Sequence, residues 1–236
     1  MTIRASNREA SERFYETVLT PLEIEQTYSD EQVGAEWDDF SLSEATEDQP
    51  VTRRLHIAFT APSRRHIDEF WGAGTDAGYR DGGFPGLRPE YRDDYYGAFL
   101  RDPDGNNVEA VHHADVHPGI DHVWLRVADL AASKQFYERV ATHAGFRLER
   151  ESPNRAQFVG ERGSFSVVAG DASENVHIAF PVDDNAVVDA FHGALTGAGF
   201  RDNGPPGERT VYHPGYYGAF VLDPDGNNIE LVNHNR

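Results

Sequence analysis

The sequence contains no cysteine, and Lys134 is its single lysine. Without thiols there can be no disulfide and no thiolate metal site, so any metal must be held by His, Asp or Glu. No apolar run approaches the roughly 18 residues that a membrane span requires. The first nine residues hold no apolar segment of the kind a secretion signal carries. The cytoplasm is therefore the simplest expected location. Basic residues are scarce as well: 21 Lys and Arg face 40 Asp and Glu, a net charge of −19. A chain this acidic repels phosphate backbones and anionic lipid surfaces, which argues against nucleic-acid and membrane partners. The acidity and the near absence of lysine together suggest adaptation to a salt-rich cytoplasm, where screening removes self-repulsion. Hydrophobic residues make up 39% of the 236 positions, enough for packed cores in one large domain or two small ones.

What the chain does hold is a long internal repeat. Residues 95–109 read YYGAFLRDPDGNNVE and residues 216–230 read YYGAFVLDPDGNNIE, identical at 12 of 15 positions with an offset of 121 (216 minus 95). The same offset carries LHIAF at 55–59 onto VHIAF at 176–180, and AGYRD at 77–81 onto AGFRD at 198–202. Near the start, Phe14-Tyr15-Glu16 matches Phe136-Tyr137-Glu138 with an offset of 122. Four collinear matches at this period indicate a duplicated domain, with copies at 1–115 and 116–236. The junction is expected at 114–119, inside the stretch HHADVHPG at 112–119, whose His112, His113 and His117 read more naturally as linker than as ligands.

Hydrophobic periodicity gives a coarse plan of the second copy. Residues 120–128 alternate as a half-buried strand, with Val123, Leu125 and Val127 on one face and His122, Trp124 and Arg126 on the other. Asp129 can cap a helix with Leu130, Phe136, Tyr137 and Val140 on its apolar stripe. Short strands are expected at 146–151, 156–160 and 164–169. A further strand at 175–182 is followed by a helix that begins at Asp183 or Asp184 and ends near Ala198. A short strand at 200–202 then leads into a Gly/Pro-rich loop. Strands at 218–222 and 227–232 form a hairpin closed by Asp223-Pro224-Asp225-Gly226. The order is βαβββ twice, so each copy is an α+β domain made of two similar units around a curved mixed sheet and a cavity.

Strand parity singles out three side chains. His122, His177 and Glu230 each lie opposite the apolar face of their strand. Two neutral imidazoles and one carboxylate suit a first-row divalent metal and leave positions open for water or substrate. The residues do not settle which metal, Fe, Mn, Zn or Ni.

The DH-V pattern at 121–123, HIAF at 177–180 and YYGAFVLDPDGNNIE at 216–230 resemble the vicinal oxygen chelate superfamily, which includes glyoxalase I, bleomycin-resistance proteins and extradiol dioxygenases. The resemblance covers nearly the whole chain, twice. It implies metal ligands from the first strand of each βαβββ unit and a Glu in the final strand, which map to His122, His177 and Glu230. An exchanged pairing of units between copies would instead unite His122 with His56 and Glu109. The set within the second copy is preferred, because it needs no ligand from the first. In the first copy the partner of His122 falls one residue before Met1. Glyoxalase I usually supplies a fourth ligand from a strand matching 164–167, where Ser164-Phe165-Ser166-Val167 offers neither acid nor amide. Dioxygenases of this type also use a nearby His and Tyr, a role for which His213, Tyr212, Tyr216 and Tyr217 are candidates.

The expected activity is that of a metal-dependent lyase, isomerase or ring-cleaving dioxygenase acting on a small molecule chelated through vicinal oxygens. The alternatives are a metal-free, drug-sequestering binding protein and a regulatory pseudo-enzyme. The protein is expected to be a monomer or homodimer.

Overall fold

The computed structural model describes residues 1–30, 34–114 and 117–235. Residues 115 and 116, in the expected junction, lie outside the described residues. The chain divides into two compact units, Met1–Leu125 and Arg126–Arg236. The division falls ten residues beyond the junction expected from the repeat, so the strand bearing His122 begins inside the first unit.

The first unit contains β1 (Thr2–Ala5), α1 (Arg8–Leu19), β2 (Tyr28–Asp30), β3 (Gly34–Trp37) and β4 (Phe40–Glu44). A second run follows: β5 (His56–Thr60), α2 (Arg64–Asp76), β6 (Arg80–Leu87), β7 (Tyr96–Arg101) and β8 (Asn107–His112). The strand β9 (Ile120–Val127) begins in this unit and runs two residues past the division. Two ladders result, β1-β4-β3-β2 and β9-β5-β8-β7-β6. Both are mixed: β1 runs parallel to β4 and β5 parallel to β8, while β5 and β9 are antiparallel.

The second unit contains α3 (Leu130–Ala144), β10 (Arg147–Ser152), β11 (Arg155–Val159) and β12 (Ser164–Ala169). It continues with β13 (His177–Pro181), α4 (Asn185–Gly197), β14 (Arg201–Glu208), β15 (Tyr217–Leu222) and β16 (Asn228–Asn233). Its ladders are β10-β11-β12 and β14-β15-β16-β13. The α+β class and the repeated βαβββ order agree with the sequence reading.

The helices form where a capping side chain precedes a one-sided apolar stripe. The carboxamide of Asn7 accepts from the Ala10 amide, and Asp129 accepts from Ala132. The buried positions of α1 are Ser11, Phe14, Tyr15, Val18 and Leu19; those of α3 are Ser133, Phe136, Tyr137, Val140 and Ala141. Both sets follow the i, i+3, i+4, i+7, i+8 spacing that lays one helix face on a sheet. Each fully buried large apolar side chain contributes about 1.5–3 kcal/mol. The Tyr of each helix also reaches a hairpin turn, between β7 and β8 for Tyr15 and between β15 and β16 for Tyr137. Tyr15 donates to Asp102 at 3.0 Å, and Tyr137 to Asp223 at 2.9 Å. The other Asp102 oxygen accepts from the Asp104 and Asn106 amides, so one buried carboxylate pins helix and hairpin together.

One element differs from expectation. The short strand predicted at 200–202 extends through the Gly/Pro-rich stretch as the eight-residue β14. The strand tolerates Pro205 and Pro206 because it is an edge, paired only with β15, and because its register shifts twice.

Candidate metal centre

Three adjacent strands of the first unit place the site. Ala58 on β5 pairs with Glu109 across the parallel ladder and with His122 across the antiparallel one. His56 lies two residues before Ala58 and therefore projects from the same face. The methyl of Ala58 leaves the flanking side chains room to meet above it. His56 Nε2 lies 3.0 Å from Glu109 Oε2 and 3.1 Å from His122 Nε2; His122 Nε2 lies 3.5 Å from Glu109 Oε2. Neighbouring ligands ~2.1 Å from one metal ion stand ~3.0–3.4 Å apart, so the triangle has the dimensions of a three-ligand face. Among the described residues this is the one group of three His, Asp or Glu side chains that converges in this way.

Each ligand has a partner behind it. Tyr95 donates to Glu109 Oε1 at 2.7 Å. Asp121 Oδ2 meets His122 Nδ1 at 2.7 Å, and its Oδ1 meets His113 Nε2 at 3.0 Å. His113 in turn stacks on the Tyr95 ring, with centroids 6.0 Å apart. Asn107 Nδ2 lies 2.6 Å from His56 Nδ1. The Trp124 ring stacks on His56 at 4.9 Å and meets Tyr91 edge-on at 6.1 Å.

The electrostatics favour a charged cluster. Burial opposes ionisation of Glu109, yet hydrogen bonds from His122 and His56 outweigh it and hold its carboxyl at about 2. Burial likewise pushes His122 toward the neutral form, but Asp121 and Glu109 overcome this and raise it to about 9. For His56 burial prevails over the Glu109 carboxylate, and its pKa falls below the ordinary value. Asp121 is buried too, but His113 and His122 keep it well below the usual carboxylate range.

The structure therefore assembles His122 with His56 and Glu109, the alternative of the two sets named from sequence. His177 and Glu230 meet each other in the second unit, with Nε2 and Oε2 2.9 Å apart. Among the described residues no third His, Asp or Glu joins them in a ligand group. The four candidates for catalytic roles also lie in the second unit. Tyr216 donates to Glu230 Oε1 at 2.5 Å, Tyr217 donates to Asp189 at 2.8 Å, and His213 Nε2 lies 3.0 Å from His234 Nδ1. Tyr212 is exposed, with its ring 4.7 Å from that of Tyr216. Of the linker histidines, His113 belongs to the cluster, His112 contacts the Ala61 carbonyl, and His117 is exposed.

Sequence reasoning missed Asp121, Tyr95, Asn107 and His113 as partners of the ligands. Signals for two of them were present: Asp121 directly precedes His122, and the 121-residue offset carries Tyr216 onto Tyr95.

Paired βαβββ runs with a His, His, Glu cluster on one sheet face define a metal-centre candidate on a duplicated α+β scaffold. Residues 119–231 match the family model described as the Glyoxalase/Bleomycin resistance protein/Dioxygenase superfamily, so the chain contains a domain of that superfamily. The matched stretch includes His122, His177 and Glu230; a contiguous match does not decide which ligands meet in space. Solved structures share the fold over the full length. Glyoxalase I from Zea mays is 18% identical, with 99% of this chain and 90% of that chain covered and a TM-score of 0.69. A Bacillus subtilis subsp. subtilis str. 168 protein provisionally assigned as a dioxygenase is 12% identical, with 100% and 84% covered and a TM-score of 0.65. At these identities the likeness is one of fold. No curated protein matches the sequence.

Proposed function

We propose that the protein is a metal-dependent enzyme that binds one divalent ion through His56, Glu109 and His122 and acts on a small molecule chelated through vicinal oxygens. The observation that supports this reading is the convergence of the three ligand atoms within 3.5 Å of one another. The donor set fits the ion: two imidazole nitrogens and one carboxylate, with no further His, Asp or Glu in the group among the described residues. The bound ion would supply Lewis-acid stabilisation of negative charge developing on the substrate oxygens, or an iron centre for dioxygen chemistry. Around it the chain's own residues have plain tasks. Tyr95 orients Glu109, Asp121 orients His122, and the Trp124 and Tyr91 rings form an apolar wall beside His56.

The second-copy residues His177, Glu230, His213, Tyr216 and Tyr217 are assigned no ligand or catalytic role in this proposal. Metal analysis of the purified protein tests it. About one equivalent of a first-row divalent metal per chain is expected, and iron would favour oxygenase chemistry over Lewis-acid chemistry. Protein that stays metal-free after incubation with zinc, manganese, nickel and ferrous iron would contradict the proposal.

A further inference from the structure

We infer that Arg101, reinforced by Arg80, forms an anion subsite beside the metal centre, so that the small molecule chelated there carries a carboxylate in addition to its vicinal oxygens. This rests on the reading of His56, Glu109 and His122 as one metal site. Arg101 on β7 pairs directly opposite Asn107 on β8, and Phe99 opposite Glu109. Residues directly opposite across an antiparallel ladder project from the same face. The Asn107 side chain reaches the His56 ring, with Nδ2 and Nδ1 2.6 Å apart, so that face is the one that carries the ligands. Arg80 on β6 pairs opposite Arg101 and shares the face. Their chain neighbours point the other way: Asp81 accepts from Trp71 of α2, and Leu100 is buried. Two arginines therefore stand together at one end of the ligand face.

Like charges directly opposite each other across a ladder are destabilising, and a bound anion relieves them. The second copy has no such pair. The 121-residue offset carries Arg80 onto Arg201 and Arg101 onto Leu222, which face each other across β14 and β15. A second difference lies at the same end of the sheet. Asn203 on β14 reaches across β15 and donates to Asn228 Oδ1 on β16 at 2.9 Å. The first copy has Gly82 at the matching position, which cannot form that bridge. The copy that assembles the three-ligand group thus has a cation where the other has a hydrocarbon, and no side chain where the other closes the face with an amide. The charge of the whole chain adds to the argument. A surface with a net charge of −19 repels an anionic substrate, so such a substrate needs cations fixed at its site. A guanidinium offers two parallel N–H donors that match the oxygens of a carboxylate.

The test uses 3,4-dihydroxybenzoate and its methyl ester, which share the vicinal oxygens and differ in the carboxylate. Their affinities for zinc-loaded protein are measured by calorimetry in wild type, Arg101→Leu, Arg80→Gln and the control Arg201→Gln. Folding of each is checked by near-ultraviolet circular dichroism. Wild type should bind the acid about tenfold or more tightly than the ester. Arg101→Leu should weaken the acid about 10- to 100-fold, the usual range for a lost charge-assisted hydrogen bond, and keep the ester within about threefold. Arg80→Gln should weaken the acid by about threefold, since Arg80 is exposed. Arg201→Gln should change neither affinity. An acid preference that is absent in wild type, or that survives in Arg101→Leu, overturns the inference; an unchanged Arg80→Gln overturns the part given to Arg80. Wild type that takes up no zinc refutes the metal reading alone. The metal-free protein then decides, through the arginine Nε–H NMR signals, with that of Arg101 assigned by its loss in Arg101→Leu. The acid should shift this signal in a saturable way and the ester should not; no shift with the acid overturns the subsite.

Discussion

Gly97 lies directly against the carboxylate of Glu109: a methyl group at Gly97 would stand 2.8 Å from Oε1. The absence of a side chain at Gly97 of β7 is thus what lets Glu109, on the neighbouring strand, lean over Ala58 toward the two histidines. Gly97→Ala should displace that carboxylate and weaken metal binding by about tenfold or more, with the fold retained. Gly218 bears the same relation to Glu230, at 2.7 Å. Gly218→Ala is therefore the control, expected to leave metal affinity unchanged. Equal effects of the two substitutions in zinc calorimetry would contradict this account.

The cluster makes the stability of the metal-free protein depend on pH. His122 has a folded pKa of about 9 against an ordinary value of 6.5. Its stabilising contribution is therefore fully present below about 6.5 and is lost as pH rises through about 9. The gap corresponds to roughly 3 kcal/mol at most. His56, held below its ordinary value by burial, contributes with the opposite sign. Glu109, held at about 2, contributes above about 4.5 and loses that contribution as pH falls toward 2. Metal-free protein should thus become less stable from pH 6.5 to 9, and His122→Ala should flatten this slope. Urea denaturation across that range would refute the account if the slope survives the substitution.

The Tyr–Asp pairs that join helix to hairpin should be costly to break. Tyr15→Phe leaves the buried Asp102 carboxylate short of one hydrogen bond, and a loss of about 1.5–3 kcal/mol is expected. Tyr137→Phe should behave alike at Asp223. A loss under about 0.5 kcal/mol in chemical denaturation would mean that water replaces the hydroxyl without penalty.

With a net charge of −19, the fold should be more stable in salt. The Debye length shrinks from about 30 Å at 0.01 M to about 3 Å at 1 M, which screens the repulsion among surface carboxylates. Thermal melting in molar potassium chloride should give a higher midpoint than in dilute buffer. An unchanged or lower midpoint would count against adaptation to salt.

Much of the fold could be read in the sequence because the relevant signals are local. Alternation identified the strand at 120–127, and Asp129 with Phe136, Tyr137 and Val140 identified α3. The length of β14 was not legible, since Gly204, Pro205 and Pro206 read as loop unless the strand is known to be an edge. Parity put His122, His177 and Glu230 on the face opposite the apolar one, and the 121-residue offset carries His177 and Glu230 onto His56 and Glu109. The pairing was not legible for a different reason. His122 could join either copy's His and Glu with the same parity, and only the β5–β9 register, with Ala58 opposite His122, distinguishes them. Asn107 and Asp121 gave no periodic signal, because their roles depend on contacts behind the ligands rather than on a strand face.

Metal stoichiometry in a five-variant panel tests the central claim most directly. His56→Ala, Glu109→Gln and His122→Ala should each abolish tight, stoichiometric binding, while His177→Ala and Glu230→Gln should each retain about one metal per chain. The opposite pattern, with binding lost in His177→Ala and Glu230→Gln but kept in His56→Ala and Glu109→Gln, would contradict the centre described here.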